Sequence, residues 1–126
     1  MRVLLAVTAC LAAVGAPPSM QPPEREAQVQ MVDVSAERYT FTPSEIRTTV
    51  GTTLRIRLRS DDTTHGFRIV GTSTSIEIPK RGGDEATVDF TPGRAGRYEF
   101  ECSKLCGAGH GFMRGVIVVK DSEERR

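Results

Sequence analysis

The residue types best suited to chemistry are concentrated in one short segment, residues 102–113. This segment contains two cysteines, a histidine and a methionine within twelve positions. Thiolate and thioether sulfurs are soft donors that suit copper, and imidazole binds copper in either oxidation state. The chain has 2 histidines, and the one outside the segment follows the most clearly alternating stretch of the sequence. The sequence therefore predicts a metal site with five side-chain ligands: His65, Cys102, Cys106, His110 and Met113.

Two other interpretations of this cluster remain open. An isolated cysteine pair in an exported protein usually forms a disulfide, but a Cys102–Cys106 disulfide would explain neither histidine. Zinc could bind both cysteines and both histidines, although Met113 would be an unusual companion for zinc. A mixture of histidine, cysteine and a weak methionine is instead typical of copper electron-transfer sites.

The cluster also requires a tightly folded loop at a fixed place in the molecule. Glycines at positions 107, 109 and 111 are expected to give the backbone that freedom. Along residues 98–102, Glu99 and Glu101 should face water, so Cys102 should point inward at the end of a strand. Leu105 and Phe112 are expected to shelter the site.

The elements that position this loop are all predicted to be β-strands. In residues 53–60, three apolar residues alternate with three arginines, which predicts a strand with one buried face and one solvated face. A first strand is expected around Val29 to Val34. Further strands are predicted at residues 45–50, 66–70, 75–78, 86–90, 97–102 and 115–120. About seven or eight short strands predict an all-β fold, an antiparallel two-sheet sandwich or barrel.

The domain organisation follows from composition along the chain. Residues 1–16 carry one positive charge and a short apolar run, as in an export signal. The signal could end in lipidation of Cys10, as in a bacterial lipoprotein, or in simple cleavage after Ala16. Residues 17–27 are proline-rich and predict an extended tether. Residues 28–120 form the predicted domain, and residues 121–126 form a charged tail.

Composition excludes several classes of function. The chain of 126 residues has 17 basic and 16 acidic residues, and a formal net charge of +1. This balance argues against nucleic-acid binding. Outside the predicted metal cluster, the sequence offers no nucleophile–base pair and no phosphate-binding glycine loop. The chain is therefore not expected to act on a small-molecule substrate by itself.

The spacing of these residues resembles a known family. His65-Gly66-Phe67 followed by Cys-x3-Cys-x3-His-x2-Met is similar to the CuA domain of cytochrome c oxidase subunit II, a cupredoxin. The resemblance covers about residues 28–120 and includes Tyr39-x-Phe41-x-Pro43 and residues 115–119. It implies a cupredoxin-like Greek-key sandwich or barrel.

The resemblance also implies a dinuclear copper centre in which both cysteine sulfurs bridge two copper ions. His65 and Met113 would complete one copper site, and His110 with the backbone carbonyl of Lys104 would complete the other. Such a domain relays single electrons from a cytochrome c-type donor towards a terminal oxidase, and it contacts oxidase subunit I. It is an electron-transfer subunit of an oxidoreductase, at the outer face of the membrane or in the periplasm.

Three departures from the family leave the partners open. Lys104 stands where the family has a glutamate whose side chain reaches a second metal at the contact with subunit I. The apolar run near the start is shorter than either of the family's two transmembrane helices, and the chain has no tryptophan for electron entry. The alternatives are a free-standing periplasmic CuA carrier, a mononuclear blue-copper carrier using Cys106, His110, Met113 and His65, or a copper-delivery protein.

Overall fold

The fold consists of two β-sheets packed face to face. We analysed a computed structural model that describes residues 15–19 and 28–122. The first sheet contains β1 (Val29–Glu37), β2 (Thr40–Thr42), β4 (Thr53–Ser60) and β7 (Ala86–Phe90), in the order β2-β1-β4-β7. The second contains β3 (Glu45–Thr49), β5 (His65–Ile69), β6 (Ser75–Ile78), β8 (Gly96–Glu101) and β9 (Arg114–Lys120), in the order β3-β9-β8-β5-β6. This arrangement confirms the predicted β-sandwich.

Strand β4 shows how the alternating sequence generates the sandwich. Its apolar residues Leu54, Ile56 and Leu58 are fully buried between the sheets. On the outer face, Arg55 forms a two-contact ion pair with Asp89, and Arg57 does the same with Asp33. Two of the three arginines are thus paired with carboxylates, and they lie on a solvated face as the alternation predicts.

The core next to the predicted metal loop is aromatic. Phe41, Phe67 and Phe100 pack together, with ring centroids 5.1 to 5.9 Å apart. Phe67 lies two residues after His65, and Phe100 lies two residues before Cys102, so each shares an inward face with a predicted ligand. This packing fixes the two strands from which the ligands project.

The strand pairing brings one end of the sandwich together. Strand β5 begins with His65, which pairs with Ile78 at the end of β6. Strand β8 ends just before Cys102, and β9 begins just after Met113, with Glu101 opposite Arg114. All predicted side-chain ligands therefore belong to loops or strand ends at the same end of the fold.

Three features differ from the sequence-based expectations. The described residues contain nine strands rather than seven or eight, because Thr40–Thr42 forms a short β2 paired with β1. Two pairings, β1 with β4 and β3 with β9, are parallel, so the sheets are not purely antiparallel. A single turn of 3-10 helix (His110–Phe112) lies in the metal loop, where no helix was predicted.

Several predicted segments lie wholly or partly outside the described residues. Residues 15–19 are exposed and lack regular structure. Residues 1–14 of the predicted signal, which include Cys10, most of the predicted tether and residues 123–126 of the tail are not described. In the described ranges, no helix is both long and apolar enough to cross a bilayer.

Candidate metal centre

The loop between β8 and β9 closes on itself and gathers the ligands. The backbone amide of Cys102 donates to the carbonyl of Met113 at 3.0 Å, so the two ends of the loop are held side by side. Within the loop, the 3-10 turn begins at His110. His65 enters from β5, which pairs with β8 in the same sheet.

The donor atoms of the predicted ligands form a connected set. The two cysteine sulfurs are 3.6 Å apart. The Cys102 sulfur lies 3.9 Å from Nδ1 of His65 and 3.0 Å from the carbonyl oxygen of Lys104. The Cys106 sulfur lies 3.7 Å from Nδ1 of His110 and 3.9 Å from the Met113 sulfur. The structure thus brings together all six predicted ligand groups.

The donors divide into two overlapping groups. His65 and the two cysteines offer donor atoms that all lie within 4.8 Å of one another. Among the described residues, no other group of three or more histidine, cysteine or carboxylate donors is this compact, and His110 lies outside it. His110 and Met113 instead approach the Cys106 sulfur. This division is unfavourable for a single four-ligand zinc site built from both cysteines and both histidines.

Most of the site is shielded from solvent. His65 and Met113 are fully buried, Cys102 and Cys106 are 4% and 5% exposed, and His110 is half-buried. The sulfur–sulfur distance of 3.6 Å far exceeds the roughly 2.05 Å of a disulfide, and both cysteines are free. Burial, followed by the neighbouring Cys102 thiol, raises the pKa of Cys106 to about 11. A metal ion must therefore displace a tightly held proton from this sulfur.

A carboxylate orients His65 from behind. Asp62 Oδ1 lies 2.7 Å from Nε2 of His65. Burial raises the pKa of Asp62, but hydrogen bonds from the Arg38 amide, the His65 ring and the Thr63 amide outweigh it and lower the pKa to about 2. The ionised carboxylate accepts a hydrogen bond from the Nε2–H group of His65. The lone pair of Nδ1 is then directed at the Cys102 sulfur. Such a carboxylate–histidine pair is a common way of fixing a metal-binding imidazole.

Two of the three loop glycines are required by a close contact with Tyr39. A Cβ at Gly107 would lie 2.5 Å from the Tyr39 hydroxyl oxygen, and one at Gly109 would lie 2.3 Å from Cδ2 of the ring. Gly107 also has a φ of +143°, a conformation that disfavours other residues. Gly111 does not have a positive φ, and a Cβ there would meet no atom within 4 Å. The expectation that glycine gives the backbone special freedom is therefore wrong at this position.

The backbone and the side chain of Lys104 make contacts with different residues. Its carbonyl oxygen faces the Cys102 sulfur, while its ammonium group pairs with Glu77 at 2.7 Å. The expectation that Leu105 and Phe112 shelter the site is wrong, because these side chains are 81% and 86% exposed. They are two exposed apolar side chains on the metal loop.

Sequence reasoning missed three residues that support the ligands: Arg38, Tyr39 and Asp62. Asp62 had a usable signal, since it precedes a predicted histidine ligand by three residues at a strand end. Tyr39 appeared only within the family-like pattern. Arg38 had no signal, because its contacts join positions 24 and 68 residues away along the chain.

The donor spacing suits a tetrahedral transition-metal ion, and the donor types favour copper. For zinc, metal–sulfur bonds of about 2.3 Å and metal–nitrogen bonds of about 2.0 Å place two ligands of one tetrahedral ion roughly 3.5 to 3.8 Å apart. The sulfur–sulfur distance of 3.6 Å lies within this range, and the sulfur–nitrogen distances of 3.7 and 3.9 Å lie close to its upper end. Two thiols, two imidazoles and a thioether are the donor types that copper prefers over harder cations.

Comparisons with known proteins identify the family. A family model described as a cupredoxin-like domain matches residues 2–119. Two curated sequences named cytochrome c oxidase subunit 2, both from Thermus thermophilus, are each 36% identical over 90 residues, which is 71% of this chain. The matched region spans only 65% and 52% of those two relatives.

Solved structures show the same fold. The periplasmic domain of subunit II of cytochrome oxidase (CoxB) from Bradyrhizobium japonicum has a TM-score of 0.66 and 18% identity, covering 75% of this chain and 86% of that chain. Auracyanin A, a blue copper protein from Chloroflexus aurantiacus, has a TM-score of 0.58 and 19% identity, covering 73% of this chain and 99% of that chain.

Proposed function

This chain belongs to the cupredoxin-like family, and from that membership we propose that it binds copper in a dinuclear CuA-type centre and transfers single electrons. The similarity to cytochrome c oxidase subunit 2 of Thermus thermophilus supports the assignment. Because the chain spans less than two thirds of those relatives, the assignment concerns this domain's role in a larger electron-transfer system.

One observation carries the proposal: two donor groups share sulfur. His65 joins both cysteines in one compact group, and His110 and Met113 approach the sulfur of Cys106. A single metal ion would leave part of this set unused. Two copper ions that shared the sulfurs of Cys102 and Cys106 would use every donor. His65 and Met113 would then hold one ion, and His110 with the Lys104 carbonyl would hold the other.

The protein contributes a preformed and shielded set of ligands. Copper, when bound, supplies the one-electron redox chemistry. The buried imidazole of His65 is held by Asp62, and the loop is held by its own end-to-end hydrogen bond and by Tyr39. These contacts keep the donors in nearly one geometry, so little rearrangement accompanies a change of charge at the site.

The proposed partners are proteins. The exposed side chains of Leu105 and Phe112 lie on the same loop as the half-buried His110, and we propose that they offer an apolar contact for a cytochrome c-type donor. The acceptor is a terminal oxidase, with contact to its subunit I. We further propose that the chain is exported and acts in the periplasm or at the outer face of the membrane, either anchored through a lipidated Cys10 or released by simple cleavage after Ala16. A free-standing carrier is the alternative.

Copper loading of the purified chain tests the proposal. Copper is counted per chain, and visible and EPR spectra are recorded. Two coppers with a purple, delocalised mixed-valence signal are expected. A colourless protein with a Cys102–Cys106 disulfide would refute the electron-transfer function. Rapid exchange of copper with a weak chelator would instead favour a copper-delivery protein, although the burial of four ligands opposes such exchange.

A mononuclear blue-copper site is the second candidate. It is favoured by the local set at Cys106, whose sulfur lies within 3.9 Å of both the His110 nitrogen and the Met113 sulfur. In that case Cys102 would remain a buried free thiol 3.6 Å away. One copper per chain with an intense blue band would establish this candidate over the dinuclear one.

A further inference from the structure

Arg38 is not a predicted ligand, but it contacts both the metal loop and the carboxylate that orients His65. It lies between β1 and β2, far in sequence from the metal loop. Its guanidinium Nε donates a hydrogen bond to the carbonyl oxygen of Cys106 at 2.8 Å. Its backbone amide donates to Oδ2 of Asp62 at 2.9 Å. One residue thus connects the loop that carries Cys106 with the carboxylate that orients His65.

The contact with Cys106 acts where the loop has little other support. Apart from Arg38, the backbone near Cys106 is held by the Tyr39 ring against Gly107 and Gly109 and by the 3-10 turn. A charged donor to a carbonyl is stronger than a neutral one. The Arg38 hydrogen bond therefore restrains the position of the Cys106 sulfur, which both donor groups share.

The charge of Arg38 also offsets the charge of Asp62. The Asp62 carboxylate that orients His65 places a negative charge beside the centre. The Arg38 guanidinium, whose Nε lies 2.8 Å from the Cys106 carbonyl oxygen, places a positive charge beside the same centre. A cation held there by this hydrogen bond stabilises the state of the centre that holds one more electron.

We propose that Arg38 is a positioning residue that restrains Cys106 and, through its fixed charge, favours the reduced state of the metal centre. This inference rests on the proposed function for its redox part. Its positioning part concerns the protein alone. Loss of the guanidinium should loosen the Cys106 end of the loop and lower the reduction potential.

Three variants separate the two effects. Arg38→Met removes the donor and the charge while keeping much of the side-chain length. Arg38→Lys keeps the charge but replaces the planar donor. Arg97→Met is the matched control, because Arg97 is exposed near the start of β8. This position is five residues from Cys102, or roughly 17 Å along the strand.

The measurements are the midpoint potential, the rate of copper release to a chelator, and amide hydrogen exchange of residues 106–113 in the metal-free protein. In Arg38→Met, we expect a lower potential, copper release about tenfold faster and faster exchange in the loop. Arg38→Lys should restore the potential but not the slow release. Arg97→Met should match the unchanged protein in all three.

The outcomes decide each part separately. A potential in Arg38→Met that equals that of Arg97→Met, or exceeds it, overturns the charge effect. Unchanged hydrogen exchange in the metal-free loop overturns the positioning effect. If the unchanged protein takes up no copper, the proposed function fails and the redox part falls with it. Hydrogen exchange then still decides whether Arg38 positions the loop.

Discussion

Replacing Gly109 with alanine should destabilise the protein, whereas the same replacement at Gly111 should not. The Gly109 backbone has φ −91° and ψ 10°, which alanine can adopt. An alanine Cβ there would nevertheless lie 2.3 Å from Cδ2 and 2.6 Å from Cγ of Tyr39. Because Cγ is the first ring atom, relief requires movement of the whole ring. At Gly111, a Cβ meets nothing within 4 Å.

The magnitude follows from comparing the two variants. Each alanine reduces the entropy of the unfolded chain and so contributes about 0.4 to 1 kcal/mol of stability. This contribution cancels in the comparison. Overpacking a close contact typically costs about 1 to 3 kcal/mol, so Gly109→Ala should be less stable than Gly111→Ala by that amount. For a domain of this size, each kcal/mol shifts the melting temperature by about 4 to 8 °C.

Thermal and urea unfolding of the metal-free proteins measure the difference, and copper content reports the state of the site. A double variant, Gly109→Ala with Tyr39→Leu, tests the cause because it removes the ring. The two changes should couple by about 0.5 to 3 kcal/mol. Equal melting temperatures for the two alanine variants, or additive effects in the double variant, would refute the contact with Tyr39 as the reason for Gly109.

Three further predictions concern the ligands and their support. Cys102→Ser should reduce copper from two ions to one per chain and remove the mixed-valence EPR signal, since the bridge needs both sulfurs; unchanged copper content would contradict the bridging arrangement. Lys104→Glu should leave copper content unchanged, because the side chain points to Glu77 and only the carbonyl faces the site. Metal loss in that variant, measured by elemental analysis, would show that the Lys104–Glu77 pair is needed to shape the loop. Asp62→Ala should accelerate copper release about 10- to 100-fold, because the buried His65 ring loses its partner. Asp62→Asn, which retains a hydrogen-bond acceptor, should show a smaller effect, and equal release rates in the two variants would argue against orientation by Asp62.

The sequence by itself determined the fold class and indicated copper as the metal. Alternation in residues 53–60 specified a strand with a buried apolar face, because side chains in a strand point to opposite faces in turn. The same rule correctly placed Cys102 inside and Glu99 outside. The ligand types and their spacing were readable for a similar reason: metal preference follows from donor chemistry, which residue types carry directly.

Only the tertiary structure decided which residues support those ligands. The pairing of β1 with β4 is parallel, and β2 is too short to show alternation, so the turn that holds Arg38 and Tyr39 could not be placed beside Cys106 from the sequence. The exposure of Leu105 and Phe112 likewise depends on how the loop folds over the strand ends. Local patterns specify strands and donor types because those properties depend on near neighbours. Contacts between residues 24 or 68 positions apart depend on how the two sheets pack, which no local pattern encodes.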